Sequence, residues 1–88
     1  MGTGNMNDNE ELMIIKGVGV GARDVGYPVL WFSVESEGTG ALQVFRLDNP
    51  IAQTLLASVN EIHELNGKPC VVEREGFNKL HFRRLAKI

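Results

Sequence analysis

The sequence predicts a two-layer α+β domain, an antiparallel curved sheet of about five strands in the order βββαββ packed on one amphipathic helix. Three observations predict it. Five short segments rich in β-branched and aromatic residues alternate with turn formers, one longer segment repeats its apolar residues at helical spacing, and 88 residues leave room for a single core.

The first strand is expected over Leu12–Val20. Leu12, Ile14, Val18 and Val20 share one side at period two, and Met13, Ile15, Gly17 and Gly19 the other. The segment Gly21–Pro28 collects turn formers and reads as a loop. Val29–Glu35 is the expected central strand, with Leu30, Phe32 and Val34 facing one way and Val29, Trp31, Ser33 and Glu35 the other. A glycine-containing connection, Ser36–Gly40, returns the chain antiparallel into Ala41–Leu47. The helix is expected over Pro50–Leu65: Asp48 or Asn49 caps it, Pro50 opens it, and Ile51, Leu55, Val59 and Ile62 form its apolar stripe. Asn66-Gly67 closes it, and Pro69 prevents continuation. Cys70–Arg74 and Lys79–Leu85 complete the sheet as a hairpin.

With 43% hydrophobic and 23% charged residues the chain has the composition of a folded domain rather than a disordered tail. Its longest apolar stretch, Pro28–Phe32, falls far short of the ~18 residues a membrane helix requires. Residues 1–11 carry neither a basic start nor an apolar signal core and read as a disordered leader, with Met6 a candidate natural start and residues 1–5 a vector remnant. Residues 12–88 are then the single domain. One cysteine, Cys70, excludes an intramolecular disulfide and suits a reducing cytoplasm, the expected location. Residues 1–67 hold three basic against nine acidic residues and residues 68–88 six against two, so an acidic body carries a basic C-terminal end. Such an asymmetry marks an anionic partner in some proteins, yet it falls below the basic excess of a dedicated duplex-DNA binder.

Gly17–Ala22 resembles a phosphate loop only superficially. A dinucleotide fingerprint opens a helix, whereas a turn follows here, so no cofactor is expected and the glycines read as close packing. Cys70, His63 and His81 are too few and too scattered for a zinc site, and no catalytic residue is assigned. Three candidate binding regions remain. Val29, Trp31 and Phe45, with Met13 and Ile15, would leave too much apolar area wet on the second face of a single-layer sheet; either a second copy in a twofold dimer covers it or the sheet curls toward a barrel. Lys79, His81, Arg83 and Lys87, joined by Arg84, form a basic row for an anionic partner, with Phe77 or Trp31 to stack on bases, or a solvated edge that discourages aggregation. Arg23 and Asp24 are candidate ligand-loop residues for a small molecule such as a nucleotide.

The run Asp24-Val-Gly-Tyr-Pro-Val-Leu-Trp-Phe32 is similar to that in small phage- and prophage-encoded proteins, where an Asp-His-Gly type turn precedes an aromatic strand. Leu65-Asn-Gly-Lys-Pro-Cys-Val-Val72 resembles the Leu-x-Gly-Lys-x-Cys-x-Val segment following their helix. The chain departs from them at Gly38–Gln43, which is shorter than their glycine-rich hairpin. The resemblance implies an accessory protein of a mobile element, working in the host cytoplasm, and transfers no catalytic residues. The expectation is a non-enzymatic interaction module, a homodimer or a binder of a host protein. Nucleic-acid binding through the C-terminal strand and capture of a nucleotide are its alternatives.

Overall fold

The computed structural model describes residues 9–22, 26–76 and 79–86. Five strands form one antiparallel sheet: β1 (Glu10–Gly21), β2 (Val29–Ser36), β3 (Thr39–Arg46), β4 (Pro69–Glu75) and β5 (Lys79–Leu85). Their spatial order is β3-β2-β1-β4-β5, which puts β3 and β5 at the two edges. The sheet curls into a half-barrel, and one helix, α1 (Pro50–Ala57), packs on both edge strands. The expected α+β architecture and strand sequence are those observed. Among the described residues no helix is long and apolar enough to cross a membrane.

The curl gathers an apolar set from β1, β2, β4 and β5 on one inner face, with Ala41 and Phe45 of β3 packed against it. Met13, Ile15, Val18, Leu30, Phe32, Val34, Cys70, Val72, Leu80 and Phe82 are buried there with Ala52, Leu55 and Leu65. Phe82 meets Phe32 edge-on at 5.2 Å between ring centroids and Phe45 at 6.2 Å. This cluster joins the edge strands β3 and β5 through the interior, in the offset geometries that aromatic rings prefer.

A polar bridge completes the closure. The side-chain amide of Gln43, on β3, donates from Nε2 to the Leu80 carbonyl at 2.9 Å, and its Oε1 accepts from the Phe82 N–H at 3.1 Å. Residues i−1 and i+1 of a strand offer this same carbonyl and N–H to one residue of a parallel neighbour. One carboxamide therefore stands in for a strand across the seam. Gln43 is the polar residue among the buried set, at 8% exposure, and both of its functional ends are satisfied.

Two bulges explain where simple alternation fails. In β1 the register with β2 shifts between Lys16 and Gly19, where Gly17 sits at φ +65°. The extra residue turns Val18 onto the core face with Met13 and Ile15, rather than with Leu12 and Ile14 as period two requires. The Val18 N–H donates to Asn66 Oδ1 at 3.0 Å. In β4–β5 the shift between Val71 and Val72 leaves Arg83 unpaired in the ladder, so Arg83 and Arg84 both remain exposed while Phe82 is buried.

The helix ends eight residues earlier than expected. Ser58 caps it, with its N–H donating to the Leu55 carbonyl at 3.1 Å and its hydroxyl at 2.6 Å. Side chains then compete for the backbone: Glu64 Oε1 accepts from the Asn60 N–H, and the Glu61 carboxylate accepts from the His63 N–H. The chain resumes as a 3-10 turn, Ile62–Leu65, which drops Leu65 into the core. Gly67 N–H then donates to the Ile15 carbonyl at 2.7 Å. At the other terminus β1 starts at Glu10, so the expected leader boundary at residue 11 lies inside the sheet; residues 1–8 lie outside the described residues.

Candidate functional site

The three expected binding regions fare differently. The apolar face is corrected. Phe45 lies opposite Leu30 and packs within the inner cluster, so it does not share a face with Trp31. Val29 is 1% exposed and offers no contact surface. Met13 and Ile15 are core residues. The curled sheet thus internalises Met13, Ile15 and Phe45, which the sequence left for a partner.

Trp31 itself remains on the outer face, half-buried, and its indole covers the backbone of β1 at Gly19. A Cβ on Gly19 would lie 2.4 Å from Trp31 Cζ2, so only glycine admits the ring at that distance. Gly21 lies under the same ring at ordinary contact distance. The close packing expected of this glycine-rich segment is found at Gly19, whereas Gly17, at φ +65° with open space around a Cβ, serves the bulge instead.

The basic row is largely an ion-pair lattice. Arg83 Nε lies 2.8 Å from Glu73 Oε1, His81 Nε2 lies 2.7 Å from Glu75 Oε1, and Arg84 reaches Glu10, whose side chain is 7% exposed, at 3.4 Å. Arg74 pairs with Glu11 through two nitrogens; that contact, above all its hydrogen bonds, holds the Glu11 carboxyl below its ordinary range. A phosphate would have to displace these carboxylates, which weakens the case for a nucleic-acid track. Lys79 is an exposed member of the row; Lys87 and Phe77 lie outside the described residues, as do Arg23 and Asp24 of the ligand loop.

Burial pushes the Cys70 thiol up to about 12, so it is protonated and inert as a nucleophile at neutral pH. Among the described residues no three His, Cys, Asp or Glu side chains gather as a metal site.

What the sequence reading missed is a surface on the outer face of β1–β3. Leu42 and Val44 of β3 are 53% and 45% exposed, opposite Ser33 and Trp31 of β2. Beside them a shallow groove of about 640 Å³ runs between Ile14 and Leu42, floored by Ser33 and Gly40 and rimmed by Lys16, Glu35 and Glu37. The tight Glu37-Gly38 turn joining β2 to β3 forms one end of it. The available signal was the alternation Gly40, Leu42, Val44 on a strand whose other residues supply Gln43 and Phe45 to the core. No family model, curated protein or solved structure matches the chain.

Proposed function

We propose that the protein is a non-enzymatic interaction module that forms a homodimer through the outer face of β1–β3, as an accessory protein of a phage or other mobile element. The observation that carries this reading is the contrast between the two edge strands. Natural edge strands are usually protected by charge, and β5 follows that rule with Lys79, Arg83 and Arg84. On its outward side β3 carries a single charge, Arg46 at its end, and otherwise presents Leu42 and Val44, neither of which the core requires, next to the half-buried Trp31. Exposed aliphatic residues flanking an aromatic one, with charges at the rim, have the anatomy of an interface. The assignment to a mobile element rests on the resemblance of Asp24–Phe32 and Leu65–Val72 alone.

Sedimentation velocity on the wild type and on Leu42→Lys tests the face. The wild type is expected to run as a dimer. The variant, which must take an ammonium out of water at the contact, should dissociate at least about 100-fold more readily, with an unchanged circular dichroism spectrum. A variant that remains as dimeric as the wild type would remove this face from the account.

A further inference from the structure

The groove's charges point to how two copies recognise each other. On β1, β4 and β5 Arg74 pairs with Glu11, Arg83 with Glu73 and Arg84 with Glu10, His81 Nε2 lies 2.7 Å from Glu75 Oε1, and Lys79 stands exposed. Charges of both signs border the groove. Lys16, Glu35 and Glu37 are exposed and make no ion pair among the described residues. Lys16 lies opposite Ser33, while Glu35 lies opposite Ile14 on the next rung and Glu37 follows at the turn, so one cation and two anions border the same depression.

We propose that these three residues are a self-recognition device: across a twofold axis, Lys16 of each protomer meets Glu35 and Glu37 of the other, with Ile14, Leu42 and Val44 enclosed between them. A twofold interface uses one patch twice, so the patch must carry both signs of charge to be complementary to itself. A patch of one sign would repel its copy. The groove meets that requirement within a single rim, and its small floor residues, Ser33 and Gly40, leave space for an aliphatic side chain from the facing copy. An interface of ordinary size covers about 800 Å² per partner. That is roughly one seventh of the 5638 Å² surface.

This pairing rests on the homodimer proposed above, and charge reversal tests it separately. Lys16→Glu puts three carboxylates on each rim, and the double variant Glu35→Lys with Glu37→Lys puts three ammonium groups there. Each alone is expected to weaken self-association tenfold or more, while their equimolar mixture, in which every contact is again between opposite charges, should sediment as a dimer. Recovery in the mixture also shows that both variants are folded. If the wild type is a dimer and either reversal leaves it unaffected, or the mixture stays monomeric, the pairing is wrong while the dimer stands. A monomeric wild type overturns both.

Discussion

Replacing Gln43 by leucine is expected to lower the stability of the fold by about 2–4 kcal/mol. The substitution keeps an apolar stem of similar length but deprives two main-chain groups of β5, the Leu80 carbonyl and the Phe82 N–H, of their partner. Each buried polar group left unsatisfied costs about 1–3 kcal/mol, whereas the added apolar contact offsets only part of that. For a domain of this size the loss corresponds to roughly 10–25 °C in melting temperature, compared at equal protein concentration because dimerisation also shifts it. Gln43→Glu separates hydrogen bonding from shape. Its carboxylate can accept from Phe82 but opposes the Leu80 carbonyl, so it should be at least as destabilising at neutral pH. Burial raises the pKa of such an acid above its unfolded value, so the deficit shrinks as pH falls and the protonated carboxyl regains a donor. The leucine variant lacks that pH dependence. A change within about 0.5 kcal/mol for Gln43→Leu in urea unfolding would mean that the seam is not held by this amide.

Gly19→Ala is expected to cost about 1–3 kcal/mol, an overpacking effect on an outer surface where a single methyl is ordinarily harmless. The new Cβ would fall 2.4–2.8 Å from three indole atoms of Trp31, and a rigid ring cannot yield at one end. The indole must swing off β1, which should shift the emission of the chain's single tryptophan to the red. Gly21→Ala, whose Cβ would sit 3.5 Å from the ring, serves as the tolerated neighbour. In a Trp31→Ala background the cost of Gly19→Ala should fall to a few tenths of a kcal/mol, a coupling that a double-mutant cycle measures. Persistence of the full cost without the indole would assign it to the backbone of β1 instead.

Where one physical rule governs a segment, the sequence was sufficient. Period-two alternation located five strands, and Asn49 with Pro50 opened the helix as expected, Asn49 Oδ1 accepting from the Ile51 N–H at 2.8 Å. Where two rules compete, it was not. The stripe Ile51, Leu55, Val59, Ile62 favours a long helix, but the side chains of Ser58, Glu61 and Glu64 take the backbone groups that continuation needs. Glycine at 17 permits a bulge without announcing it, and one extra residue reverses the faces that follow. The misplaced partner face has the same origin: Met13, Ile15 and Phe45 join Phe32 inside because the sheet curls, a property of all five strands together. Gln43 reads as an ordinary polar residue on a strand until the seam brings β5 to it from 37 residues away. The ion-paired state of Arg83 and Arg84 likewise depends on carboxylates from β4 and β1 that sequence spacing does not relate to them.

The most direct test of the central claim is a native mass spectrum of the wild-type protein beside its denatured mass. Self-association through the outer face predicts a dimer at twice the 9.7 kDa chain mass with nothing added. A monomer, or a species carrying the extra mass of a nucleotide or oligonucleotide, would contradict it.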